Sequence, residues 1–206
     1  MPDAPAHKKR IIVLISGSGT NLQAIIDAIE AGHLPCEIAL VVCNRRDAFG
    51  LTRAEMHGLP TLYFPLRPYT AAGKPREEYD RDLAEQLLPY QPDLIVLAGW
   101  MHVFTPAFLE HFPRKVINLH PALPGRFAGT HAIERTFAAW EAGEVELGGC
   151  MVHYVVPEVD AGEPLIVAHV PIMPDDELSD FEMRLHAAEH QIIVKAVHLA
   201  LARPTA

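Results

Sequence analysis

Three patterns in this sequence predict an α/β fold: a mostly parallel twisted sheet, helices on both faces, and an antiparallel extension in the C-terminal half. Continuous apolar runs of strand length recur at residues 10–15, 38–43, 93–98 and 115–119. Runs without polar alternation mark strands covered on both faces, as parallel sheets require. Segments of helical period lie between them, which is βαβ order. After residue 140 the order changes to two strands, 149–156 and 164–170, joined only by a turn-rich loop. A short connection of that kind joins antiparallel neighbours.

The elements follow in order. The run 10–15 ends in Ser-Gly-Ser-Gly-Thr20, and an amphipathic helix over 21–31 comes next. This strand, glycine turn and helix make the opening Rossmann-like. A helix over 48–57, a short strand over 61–64 and a loop over 65–74 with Pro65 and Pro68 come after the second strand. A helix over 77–88 is stopped by Pro89. A short helix over 106–111 separates the strands at 93–98 and 115–119, and a helix over 131–140 precedes the antiparallel pair. The last helix, 177–201, buries a stripe of Leu178, Phe181, Leu185, Ala188 and Ile192. Ligands bind such sheets at the carboxyl ends of the strands, which directs attention to the loops after Ile15, Ala98 and Leu119.

The 206 residues suit one large domain or two small ones. No repeat or linker divides them, so 1–206 reads as a single domain with residues 1–9 as a flexible tail. A formal charge of −9 without a basic run argues against a nucleic-acid partner. No apolar stretch approaches the roughly 20 residues of a membrane span, and the first apolar run lacks signal-peptide form. Three cysteines, Cys36, Cys43 and Cys150, have no metal or disulfide spacing, which fits a reducing cytoplasm. Small-molecule ligands remain as the expected partners, with the chain a monomer or homodimer.

Several groups carry chemistry. Gly17-Ser-Gly-Thr-Asn21 offers exposed N–H groups at a helix start, suited to an anion. It also reads as a plain tight turn capped by Thr20 or Asn21. The third glycine of a dinucleotide fingerprint is Leu22 here. Asn118 and His120 are two apart on a strand and share a face. An amide with an imidazole at a sheet's ligand edge can stabilise an oxyanion and move a proton, or can simply fix the following loop. Asp160, before Ala-Gly, is a turn former unless folding brings it to His120, where it would raise the imidazole pKa and favour the charged form. His186-Ala-Ala-Glu-His190 matches the H-x-x-E-H of inverted zinc peptidases, yet residues 191–206 contain no Asp or Glu to complete a ligand set. Lys74, Arg76, His102, His131 and His153 are compatible with site or structural roles alike.

Taken together, Gly-Ser-Gly-Thr-Asn21, Leu97-Ala-Gly-Trp-Met101, Ile117-Asn-Leu-His-Pro121, Gly129-Thr-His131 and His153-Tyr-Val-Val-Pro-Glu-Val-Asp-Ala-Gly162 resemble, in order and spacing, the folate-dependent phosphoribosylglycinamide formyltransferases of purine biosynthesis. The resemblance covers essentially the whole chain. It implies catalytic roles for Asn118, His120 and Asp160. Gly19, Thr20, Asn21, His186 and Glu189 would bind phosphoribosylglycinamide. The folate site would comprise Arg76, Met101, His102, Val103, Phe104, Asn118, Val156, Pro157, Glu158, Val159 and Asp160. The implied co-substrate is 10-formyltetrahydrofolate, with no metal, and Asp160 would keep His120 protonated for direct formyl transfer. Methionyl-tRNA formyltransferase and formyltetrahydrofolate deformylase share the trio, but each carries a further domain for which this length leaves no room. A folate or nucleotide sensor on the same sheet is the non-enzymatic alternative. The chain departs from the family at three points: His102 stands where Arg is usual, Leu123-Pro-Gly-Arg-Phe127 replaces a Leu-Leu-Pro loop, where the moved Pro and added Gly125 are expected to increase loop mobility, and His186 stands where Gln is common.

Overall fold

The computed structural model describes residues 8–203. Seven strands form one sheet in the order β3-β2-β1-β4-β5-β6-β7. The parallel part comprises β1 (Lys9–Ile15), β2 (Cys36–Cys43), β3 (Thr61–Tyr63), β4 (Leu94–Leu97) and β5 (Val116–His120). Antiparallel to these run β6 (Gly148–Tyr154) and β7 (Pro164–Val170), so the predicted architecture holds. Most of the 1–9 tail lies outside the described residues, but Lys9 belongs to β1, because its ammonium and the Arg10 N–H both bind the Asp93 carboxylate.

Side-chain alternation along β1 builds two cores from one strand. Ile11, Val13 and Ile15 pack with Leu22 and Ile25 of α1 (Thr20–Glu30) and with Leu185 and Ile192 of α7 (Leu178–Ala202). Ile12 and Leu14 face the other way, onto Tyr79, Leu83 and Leu87 of α4 (Arg76–Leu87) and Phe108 of α5 (Pro106–Leu109). Each fully buried aliphatic side chain contributes about 1.5–3 kcal/mol of transfer free energy, which accounts for the strength of the strand signal. The helices α2 (Phe49–Met56) and α6 (Ala132–Glu141) lie near their expected positions. The 65–74 segment, expected as a loop, instead contains a short helix, α3 (Arg67–Ala71). Pro68 in its first turn starts that helix rather than breaking it, since the first turn needs no N–H from it. In α7, Phe181, Leu185 and Ile192 are buried, with Leu178 and Ala188 partly covered. Glu189 is buried beside them.

The strand order reverses between β1 and β4. The Ser16 hydroxyl accepts a hydrogen bond from the Met101 N–H at 3.0 Å, so the loops after β1 and β4 are tied together at the carboxyl edge of the sheet. Among the described residues no helix is long and apolar enough to cross a membrane.

Candidate active site

The last strand residues of β5 and the loop after β6 converge. Register pairs Asn118 with His153 across β5 and β6, so their side chains share a face. The Asn118 Nδ2 donates to Asp160 Oδ1 at 3.2 Å and lies 3.2 Å from His153 Nε2. His153 Nδ1 lies 2.9 Å from the Tyr154 carbonyl oxygen, which can only accept, so that nitrogen carries a proton. His153 Nε2 lies 3.5 Å from Asp160 Oδ1 as well, so the ring borders both the carboxamide and the carboxylate. The Asp160 Oδ2 lies 3.3 Å from His120 Nδ1 and accepts from the Gly129 N–H at 2.8 Å. The Asp160 carboxylate therefore touches both the imidazole and the carboxamide, although it comes from a separate segment. His153 joins them as a fourth member, which sequence spacing had left undecided. The signal that identifies it is the β5–β6 register, unknown before the fold.

Asp160 has φ +51°, a left-handed backbone that Asp tolerates better than most residues. Its loop is closed by Gly162, where an added Cβ would fall on the Tyr154 carbonyl oxygen. Tyr154 N–H also donates to the Glu163 carbonyl at 3.0 Å. The Asp-x-Gly pattern thus has a steric cause. Gly162→Ala is expected to lower stability by about 1–3 kcal/mol and to displace Asp160. Thermal melting together with loss of turnover checks both effects, and an active variant of unchanged stability would refute the steric account.

Electrostatics modify one expectation. Burial pushes the His120 pKa below its ordinary 6.5, although Asp160 and the nearby backbone of Phe127 and Arg126 pull it up and His153 adds to the depression. Asp160 therefore does not keep His120 protonated here: desolvation of a ring only 3% exposed outweighs the pairing. The neutral ring carries its proton on Nδ1, facing Asp160, which leaves Nε2 as a lone pair. That Nε2 is buried and has no hydrogen-bond partner among the described residues. Burial also works to raise the Asp160 pKa, but hydrogen bonds from His153 and the Gly129 N–H, with the two nearby imidazoles, bring it below the ordinary carboxylate value.

A cavity of about 510 Å³ adjoins the trio. Trp100, Met101, His102, Val103, Phe104, Val156, Glu158 and Val159 line it, with Asn118, His120 and Asp160 at one end. Phe104 is buried and stacked on Phe108 with centroids 3.8 Å apart, so it forms a wall continuous with the core. Pro157 and Arg76 do not line this cavity. Arg76 instead fastens its rim, donating to the Val103 carbonyl at 2.6 Å and to Asp80 Oδ1 at 2.8 Å. Asp80 is fully buried and also accepts from the Thr105 N–H at 2.7 Å. Sequence reasoning missed Asp80, although its i,i+4 spacing from Arg76 was visible. Burial, with the Arg76 and Arg45 charges, holds the His102 pKa below its ordinary value, so His102 does not substitute for a cation at neutral pH. Lys74 is taken up by Glu78. The 123–127 loop makes a turn, Arg126 N–H to Leu123 carbonyl at 3.0 Å, and Arg135 holds the next segment through the Ala128 carbonyl at 2.8 Å. His131 lines the cavity and is otherwise exposed, paired with Glu134.

The glycine turn lies at the end of β1. Gly19 is the N-cap of α1 at φ 71°, and no side chain caps this helix. Thr20 and Asn21 are therefore not the caps anticipated above, and the first-turn N–H groups are free to meet an anion. The turn is braced from α2: Arg53 Nε donates to the Ser18 carbonyl at 2.9 Å and Gly50 N–H to the Gly17 carbonyl at 3.1 Å. A Cβ on Gly19 would come within 2.6 Å of the Gly50 Cα. Asn21 Nδ2 donates to Glu189 Oε2 at 3.3 Å, and His186 Nδ1 lies 2.9 Å from the same oxygen. The Glu189 hydrogen bond raises the His186 pKa against the opposing effect of burial. The glycine turn and the H-x-x-E segment, 168 residues apart at this contact, thus form one polar cluster. Among the described residues no group of three or more His, Cys, Asp or Glu side chains is arranged to share a metal ion.

Comparison with known proteins agrees with this arrangement. The formyl transferase family model matches residues 9–197. The phosphoribosylglycinamide formyltransferase of Schizosaccharomyces pombe is 49% identical over 91% of this chain and 95% of its own length. That of Saccharomyces cerevisiae is 45% identical over 93% and 97%. The crystal structure of phosphoribosylglycinamide formyltransferase from Bacillus halodurans superposes with a TM-score of 0.87, at 33% identity, over 95% of this chain and 96% of its own. With family model, sequence and fold all matched over nearly its full length, this chain belongs to the formyl transferase family of enzymes.

Proposed function

We propose that this protein transfers the formyl group of 10-formyltetrahydrofolate to the glycinamide amine of 5-phosphoribosylglycinamide, a step of de novo purine (IMP) biosynthesis, and that residues 1–206 act as a single formyltransferase domain. The observation that carries the reading is the unpartnered Nε2 of His120, held opposite Asp160 at the end of an apolar cavity of ligand size. The uncapped α1 start on the same sheet edge supports a phosphorylated acceptor.

In the proposed reaction the amine nitrogen attacks the formyl carbon, and the carbonyl electron pair moves to oxygen. His120 Nε2 takes the proton released by the amine. The imidazolium so formed faces the Asp160 carboxylate, which stabilises it. Asn118 exchanges its contact with His153 for the developing oxyanion and donates to it. Collapse restores the carbonyl and expels the folate nitrogen, which receives the proton from His120. Asp160 thus acts by orienting the ring and offsetting its charge after proton uptake, rather than by charging it beforehand. Gly19, Thr20 and Asn21 would hold the phosphate, with His186 and Glu189 at the far end of the same ligand. Arg76, through the rim it fastens, would set the folate mouth.

The test is a formyl-transfer assay with the folate donor, run with and without the amine and without added metal. Formylation that depends on the amine is expected. Donor hydrolysis without amine would favour a deformylase, formylation of methionyl-tRNA would favour that relative, and chelator-sensitive peptide cleavage would favour a zinc hydrolase. Ligand binding without turnover would favour a sensor.

A further inference from the structure

Residues 127–131 pass beside the catalytic trio in an unusual backbone. Phe127, Gly129 and His131 have φ of +46°, +84° and +57°. For Phe127 and His131 this left-handed conformation is unfavourable and persists only where neighbouring groups enforce it. Residues 128–131 are exposed, so core packing does not supply that enforcement. Among the described residues one side chain donates to the carbonyls of this segment. Arg135 Nη1, on α6, lies 2.8 Å from the Ala128 oxygen and 3.4 Å from the Thr130 oxygen. Its guanidinium also sits over the Phe127 ring, 5.6 Å from the centroid. A cation so close to a helix start opposes the helix dipole, so helix formation does not explain Arg135. The adjacent Glu134 pairs with His131 instead.

Peptide geometry carries this grip to the chemistry. The Ala128 carbonyl and the Gly129 N–H belong to one plane, and no peptide among the described residues is cis. In a trans peptide those two groups point to opposite edges. Arg135 holds one edge, and the N–H on the other donates to Asp160 Oδ2 at 2.8 Å. That same oxygen lies 3.3 Å from His120 Nδ1. A guanidinium on the carbonyl also polarises the peptide and makes its N–H a stronger donor. Arg135 does not line the apolar cavity, so this backbone is its route to the trio. We propose that Arg135 is a positioning residue: through the Ala128–Gly129 peptide it fixes the Asp160 carboxylate opposite His120. The proposal rests on the formyltransferase reading above and adds to it a residue that touches neither substrate.

The experiment measures single-turnover formylation and the pH profile of kcat/KM in the wild type, Arg135→Ala and Arg135→Lys. Misaiming Asp160 is expected to slow the chemical step of the alanine variant by about 10- to 100-fold. Burial depresses the His120 pKa, Asp160 and the Phe127 and Arg126 backbone oppose that effect, and His153 adds to it. Loosening the Asp160 contact removes an opposing influence, so the neutral ring persists to lower pH. The acid limb of the profile should therefore move to lower pH in Arg135→Ala. Thermal melting should change little, because the side chain is exposed. Arg135→Lys can reach one carbonyl but lacks the planar fork, and should recover part of the rate and of the pH position. An unchanged rate in Arg135→Ala overturns the proposal. So does a slower variant whose acid limb stays at the wild-type pH, since that marks a merely structural role. Absence of formyl transfer in the wild type overturns the formyltransferase reading beneath it.

Discussion

His120→Ala is expected to reduce formyl-transfer turnover by about 10²–10⁴-fold while the protein remains folded. The ring is buried, but its Nε2 makes no hydrogen bond that the fold would lose. What alanine removes is the acceptor for the proton of the attacking amine. Single-turnover formylation kinetics measure the chemical step, and circular dichroism checks the fold. The pH profile adds a signature. Burial holds the His120 pKa under 6.5, so the neutral ring persists down to that region, and the wild-type rate falls only as acidification charges it. This acid limb should be absent from the residual activity of the variant. Stability follows the same group: the unfolded chain takes up a proton near 6.5 before the folded one does, so stability falls as pH drops from 6.5 toward the depressed folded value. Asp160, with its own value below 3.8, contributes stability present above 3.8 and lost as pH falls through its lowered value. Asp160→Asn combined with His120→Ala should cost little more than His120→Ala alone, because the two act as a unit. Near-normal turnover in His120→Ala would remove the ring from the mechanism.

The second large effect falls on a residue with no place in the chemistry. Asp80→Ala is expected to destabilise the protein by about 2–4 kcal/mol. The substitution leaves the Thr105 N–H without its acceptor and frees Arg76, which is partly exposed and so recovers some hydration. Released from Asp80, Arg76 also loosens its hold on the Val103 carbonyl, and the loop walling the apolar cavity loses its fastening. Urea denaturation measures the first consequence and an increased KM for the folate donor the second. Asp80→Asn, which keeps acceptor oxygen but no charge, should fall between. An alanine variant as stable as wild type would show that Arg76 holds the rim unaided.

The sheet was legible in the sequence because its strands are buried on both faces, and continuous runs such as Ile11 to Ile15 have no other common use. The helix at α3 was not, because Pro68 carries the same local signal whether it opens a helix or fills a loop. Asn118 and His120 stood out because polar groups are rare at the end of such a run. His153 did not, since its place opposite Asn118 depends on a strand register that no local spacing encodes. The charge state of His120 was read with the opposite sign because pairing with Asp160 can be anticipated from a motif, whereas the depth of burial follows from the whole fold. Asp80 escaped because a charged residue on a helix is usually solvated, and only packing of α4 on the sheet sealed it.

The bare ring nitrogen of His120 also bears on how this fold balances durability against use. A buried acceptor gains about 1–3 kcal/mol when a donor reaches it. A ligand that brings a donor to that nitrogen binds the folded chain alone, so the occupied protein should unfold at a higher temperature than the free one.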